Sequence, residues 1–352
     1  MTDLAHHPKL KQLARNLHIP DGGDCLHELR EHAIASVQEM LKEWSVETIA
    51  ELRSLVADKL SVKIESIGAD QDTERLAEKY GQVMSGFRQL LRAEFIKGDT
   101  EGLLIDNPKP GKGGRDYLVI VDARGTRRAR AYFTAWHELA HLLLYPRRQA
   151  VFEGFRRAPT IEAKLKDPVE SAVDHIAGLL AFWEPLFGPA LLSAASGDLS
   201  LEAIAKARSE VAPGASFQSA CLAAVRVWKR PVAFVTAAVS PKRDGSSLSL
   251  RVQNIVANEA AREVGCTVRR QMRIPPASAI SEAFGDLSAN RHCGMENQAG
   301  WEVSGQGSLP ALAWQVEAVR RGPLVYALLT NMLMCSSWNV FGREGAQIRD
   351  LT

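Results

Sequence analysis

The chain has 352 residues, 46% of them hydrophobic and 24% charged, with a formal net charge of +2. This is an ordinary globular composition, long enough for two or three folded units, and the near-neutral balance excludes a chain steered to its partners by overall charge. The five cysteines (Cys25, Cys221, Cys266, Cys293, Cys335) are odd in number and none forms a C-x-x-C pair, which argues for a reducing compartment and against a disulfide framework. The N-terminus shows no basic-then-apolar leader and no apolar run reaches spanning length, so a cytoplasmic location with no membrane partner is expected.

In chain order, residues 1–60 have helical periodicity. Leu26, Leu29, Ala33, Val37, Met40 and Leu41 form one stripe, and Ile49, Leu52, Leu55, Val56 and Leu60 a second, with Ser45 as the expected N-cap. Val62–Ile67 alternates as a short strand, and residues 72–96 return to helix. Residues 101–106 and 116–122 are strand candidates joined by a glycine- and proline-rich turn. That turn is not a phosphate-binding P-loop, because no Lys-Ser/Thr follows the glycines and a strand, not a helix, comes next.

A helix is then expected from about Tyr132 to Tyr145, stopped by Pro146. It contains His137-Glu138-Leu139-Ala140-His141, an H-E-x-x-H motif. Residues four apart share a helix face, so both imidazoles project together as two legs of a tetrahedral zinc site. Glu138 lies beside them, where its carboxylate could take a proton from an activated water. Met by chance, the motif is an ordinary amphipathic helix with two exposed histidines. The acids downstream argue against that.

Asp167-Pro168 signals the start of a second helix, which carries Glu170 and Asp174 on one face. In two-His-one-Glu peptidases a glutamate on a following helix completes the protein ligands, and an acid or amide one turn later orients a ligand histidine. Glu170 fits the ligand and Asp174 the orienter. Glu162 competes as ligand but has no acid four residues on. His175 points about 100° away from Asp174 and is read as packing. Tyr117, Tyr132, Tyr145 and His175 are the candidates for a donor to a developing oxyanion.

The stretch from Tyr132 to Leu144, with Gly102-Leu103-Leu104 before it and Val169–Leu180 after it, resembles the core of the ImmA/IrrE metallopeptidases. Members usually carry Asn where this chain has Asp174, and a small residue, often Gly, at the Ala140 position. The resemblance spans roughly residues 100–185. It implies an α+β fold: a zincin-like metallopeptidase with N-terminal helices over 1–192, a helical helix-turn-helix-like linker over 193–230 and a GAF-like α/β sensor domain over 231–352. It also implies a Zn2+ cofactor and an endopeptidase that cleaves one helix-turn-helix (XRE-type) repressor after DNA damage or phage stress. In one branch, the CapP peptidases paired with CapH repressors, single-stranded DNA is the activator.

The remaining chain is compatible with that layout. Leu199–Ala207 and a segment from Ser216 to about Trp228 form a helix pair around Pro213-Gly214. Strands are expected at Val232–Val239, Leu248–Val256, Thr267–Ile274 and Leu324–Leu329, with a helix at Ala277–Phe284. Between Lys109 and Lys166 there are thirteen Lys or Arg against five Asp or Glu. Arg124, Arg127, Arg128, Arg130, Arg147 and Arg148 are therefore candidate nucleic-acid contacts, with a solvated basic surface as the plainer reading. Cys293, in a polar stretch, is a candidate thiolate for the fourth zinc position in an inactive state, or else a structural cysteine. The alternative function is a non-proteolytic DNA-binding regulator with a structural zinc core, and Glu138 argues against it, since a structural site needs no base.

Overall fold

The computed structural model describes residues 4–20, 22–97, 100–108, 116–145, 155–157, 167–241, 248–288, 290–301 and 309–331. The chain is α+β and divides into two compact units. One comprises residues 1–196 and 203–223, the other residues 197–202 and 224–352.

The first unit begins with helices α1 (Pro8–Asn16), α2 (Cys25–Leu41) and α3 (Ile49–Lys59). Of the sequence stripes, Leu29, Ala33 and Val37 on α2 and Ile49, Leu52 and Val56 on α3 are buried, joined by Cys25 and Ala57, while Leu26, Met40, Leu41, Leu55 and Leu60 are not fully buried. The cap of α3 is Thr48 and not Ser45. Thr48 Oγ1 accepts the Glu51 N–H at 3.2 Å, and the Glu51 carboxylate accepts the N–H groups of Glu47 and Thr48. A capping box of this kind satisfies two of the helix's orphan donors at once, which a serine three residues earlier cannot do.

A four-stranded sheet follows in the order β1-β3-β2-β4: β1 (Val62–Ile67), β2 (Gly102–Asp106), β3 (Tyr117–Asp122) and β4 (Phe155–Arg157). β1 runs parallel to β3; β2 is antiparallel to both β3 and β4. Every residue of β3 is buried, because both faces of the sheet are covered. On one side Leu118 and Ile120 join Leu76, Tyr80, Phe87 and Phe95 from α4 (Asp70–Gly81), α5 (Phe87–Leu91) and the π-helical turn Arg92–Lys97. On the other, α6 (Arg128–Leu144) packs on β2 and β3. The helix expected from Tyr132 starts one turn earlier, out of a 3-10 turn at Gly125–Arg127.

From Thr134 to Leu144 every residue of α6 is buried, the pattern of a central helix. Against it lies α7 (Pro168–Leu180), where the Asp167 side chain accepts the Val169 N–H at 2.9 Å and Pro168 occupies the first turn, as the sequence expects. Pro185 does not only follow α7; it opens a further helix, α8 (Glu184–Ala195), bent 53° from α7. No single helix among the described residues is long and apolar enough to cross a membrane. The expected helix pair is α9 (Leu201–Val211) and α10 (Phe217–Val227).

The second unit holds a five-stranded antiparallel sheet, order β6-β5-β9-β8-β7: β5 (Val232–Pro241), β6 (Leu248–Ala257), β7 (Arg291–Asn297), β8 (Ala313–Arg321) and β9 (Leu324–Thr330). One face packs Val235, Val316 and Leu329 against Ile280 and Ala283 of α12 (Ala279–Gly285) and against Ala261 of the short α11 (Glu259–Glu263). Residues 267–274, expected as a strand, are irregular. Gln271 takes a left-handed φ of 68°, which interrupts extension and leaves one isolated bridge, Arg251 to Arg273. β7 and β8 were not expected.

Candidate metal centre

α6 and α7 bring three side chains to one point. His137 Nε2 and His141 Nε2 are 3.1 Å apart. Glu170 Oε2 lies 3.2 Å from His137 Nε2, and Glu170 Oε1 lies 3.4 Å from His141 Nε2. A tetrahedral ion with bonds of about 2.0–2.1 Å needs ligand atoms about 3.3–3.4 Å apart, so the triangle has the size of a small tetrahedral metal ion. The three residues form a group able to hold such an ion.

The chemistry of the donors agrees with the geometry. His137 Nδ1 is 2.9 Å from Asp174 Oδ1, a contact that places the ring proton on Nδ1 and leaves Nε2 a bare lone pair. That lone pair faces a carboxylate oxygen, an arrangement that repels unless a positive charge lies between them. Only if both rings were protonated instead would their hydrogen bonds and charge outweigh burial and hold the Glu170 carboxyl well below the usual carboxylate range. The site is asymmetric towards solvent: His137 and His141 are 3% and 1% exposed, whereas the Glu170 side chain is 40% exposed. A solvent path therefore reaches the centre from the α7 side.

Glu138, one residue after His137, is completely buried. A carboxylate in such a place is costly unless it has a task. Its Oε1 lies 3.0 Å from where a Cβ on Gly102 would sit, and that same Cβ would be 2.3 Å from Thr134 Cγ2. Glycine at 102 is thus what lets β2 run closely past α6 beside Glu138. The sequence marks Gly102 only as one letter of a family resemblance; its reason is tertiary.

The four donor candidates part company. Tyr117 is buried in β3. The Tyr132 hydroxyl donates to the Ala181 carbonyl at 2.7 Å, and burial pushes its pKa up to about 12. His175 is exposed. Tyr145, at the C-cap of α6, has its pKa raised by burial and by the charges of Asp167 and Glu170.

The arginines just before α6 and in its first turn are mostly engaged. Arg124 and Arg127 both hold the buried Asp122, at 2.9 and 2.7 Å, and Arg124 also reaches Asp70. Arg130 pairs with Glu101. Arg128 is exposed. Arg147, Arg148, Glu162 and Cys335 lie outside the described residues. Cys293 belongs to the second unit, on β7, while the metal cluster belongs to the first. Burial, then the charge of Glu317, pushes its thiol pKa up, away from the thiolate, with Arg291 opposing.

No family model and no curated protein matches the chain. Among solved structures, a Mycobacterium tuberculosis transcriptional regulator is similar at 8% identity and a TM-score of 0.45, covering 92% of this chain and 81% of that chain. A likeness at that level assigns neither family nor activity.

Proposed function

We propose that the protein is a zinc-dependent endopeptidase with a zincin-like first unit and a GAF-like second unit. The observation that supports this is the cluster of His137 Nε2, His141 Nε2 and the Glu170 carboxylate, the two nitrogens 3.1 Å apart, Oε2 3.2 Å from His137 and Oε1 3.4 Å from His141, directly beside the buried Glu138. Two imidazoles and one carboxylate suit zinc and leave a fourth position for water or substrate. When bound, zinc would supply Lewis acidity and lower the pKa of water near neutrality.

The chain's own residues do the rest. Asp174 fixes the ring of His137. Glu138 accepts the proton of the attacking water and passes it to the leaving amine nitrogen. The Tyr145 hydroxyl, held protonated, donates to the oxygen that gains charge as the scissile carbonyl is attacked. On the resemblance to ImmA/IrrE peptidases, the substrate is a helix-turn-helix repressor cut at one bond.

The test is a Glu138→Gln protein mixed with candidate small helix-turn-helix repressors, first among them any encoded next to it. The expected result is unchanged zinc content and no cleavage, against a single cut by the unmodified protein. Retained zinc with cleavage intact rejects the mechanism. An unmodified, zinc-loaded protein that cuts neither these repressors nor a panel of unfolded polypeptides rejects the activity.

A further inference from the structure

A cavity of about 550 Å³ opens in the first unit, along the stretch of α6 that runs from Arg128 to Ala135. Alternate residues of β1, Ile64 and Ser66, form one wall. Arg53 of α3, Arg128 at the start of α6, the Tyr132 ring and Gly214 of the α9–α10 turn form the others. No acidic side chain lines it among the described residues.

Its two cations are unusual in this part of the chain. Arg124, Arg127 and Arg130 all have carboxylate partners. Arg53 and Arg128 have none among the described residues; the one contact of the Arg53 guanidinium is with the Tyr132 ring, 5.6 Å from its centroid. Arg53 is partly buried, and that burial pulls its pKa down. A desolvated guanidinium without a counter-ion is costly, and a planar fork of donors is suited to phosphate.

The start of α6 adds to this. It has no side-chain cap and no acid in its first turn, and it carries Arg128 there instead. A cation at the positive end of a helix dipole is unfavourable by itself. An anion seated between Arg53 and Arg128 relieves both costs.

We propose that this cavity binds a small phosphorylated ligand, its phosphoryl group held by Arg53 and Arg128 with the Ser66 hydroxyl as a neutral donor. Ile64 and the Tyr132 ring receive the organic part. A volume of this size holds a mononucleotide. Arg128 and His137 lie on one rigid helix, separated by about 13 Å of rise, so the two sites are distinct but share a support. The site does not depend on the proposed peptidase activity.

The experiment is calorimetric titration of the full chain with AMP, inorganic phosphate, adenosine and a single-stranded oligonucleotide at constant low ionic strength. The expected result is saturable 1:1 binding of AMP, competition by phosphate and no binding of adenosine. Arg128→Gln, at an exposed position, should keep the circular dichroism spectrum and weaken AMP at least roughly tenfold, since a charge-assisted contact is lost. Arg53→Gln should do the same; if it fails to fold, Arg128→Gln decides. Absence of AMP and phosphate binding overturns the proposal. So does equal binding of adenosine, AMP affinity unchanged in Arg128→Gln, or binding of the oligonucleotide alone.

Discussion

His137 Nδ1 and Asp174 Oδ1 are 2.9 Å apart across the α6–α7 interface, and this contact decides which nitrogen of His137 is free. Asp174→Ala should weaken metal binding by about ten- to a hundredfold. Asp174→Asn keeps an acceptor oxygen and should stay near the parent value. Competition with a chromogenic chelator measures both. Equal losses in the two variants would show that the contact does not set the tautomer.

Metal removal should be visible in stability. Without a cation, the His137 lone pair and the Glu170 carboxylate face one another at 3.2 Å. At free zinc a thousandfold above Kd, binding adds about 4 kcal/mol to the folded state. Chelation should therefore lower the Tm, and zinc should restore it. A Glu170→Gln protein should show a smaller restoration.

On the proposed mechanism, Tyr145→Phe should lower kcat on the order of a hundredfold, with KM little changed, because the donor to the developing oxyanion is lost. Zinc content should not change. A purely structural tyrosine would instead lower the Tm and leave kcat intact.

Gly102→Ala places a methyl 2.3 Å from Thr134 Cγ2 and 3.0 Å from Glu138 Oε1. The expected cost is about 1–3 kcal/mol in denaturant unfolding. Adding Thr134→Ser, which removes the clashing methyl, should recover much of it.

Asp122 has a completely buried side chain between Arg124 and Arg127. Burial raises its pKa, but hydrogen bonds from Arg124 and Arg127 outweigh that and leave it lowered. A lowered folded-state pKa contributes stability above the unfolded value of about 3.9 and loses it as pH falls through the folded value. Asp122→Ala should cost about 3–5 kcal/mol at neutral pH by removing the buried carboxylate that Arg124 and Arg127 share. The difference between variant and parent should shrink below pH 4, as urea unfolding across pH would show.

The motif residues were legible because helical spacing alone brings His137 and His141 together, and because Asp167-Pro168 announces the helix that brings Glu170. The α3 cap was misplaced by three residues, since serine and threonine both cap and only the Glu51 carboxylate distinguishes them. β7 escaped notice because it is an edge strand. Its outward residues, Arg291, Cys293 and Met295, are exposed, and its inward ones include Gly294 and Glu296, so hydrophobic alternation is absent. The arginine run at the start of α6 looks like a basic surface in sequence, because Glu101 reaches Arg130 only through the fold and nothing in the sequence says that the nearby Asp122 is buried against Arg124 and Arg127. Arg53 gave no signal at all: one arginine in a helical stripe becomes distinctive only when its neighbours are known.

The hydrogen bond from Tyr132 to Ala181 ties α6 to the end of α7, beyond the turn that carries Asp174. With His137–Asp174, it clamps the two ligand-bearing helices at two separate heights. On the proposed metal reading, the clamp would turn ligand spacing into a size filter. Calcium, with bonds of about 2.3–2.6 Å, would need the helices to spread and both clamps to lengthen. An ion of zinc's radius would leave them as they are, so on the proposed reading discrimination against larger cations would come from helix tethering as well as from the nitrogen donors.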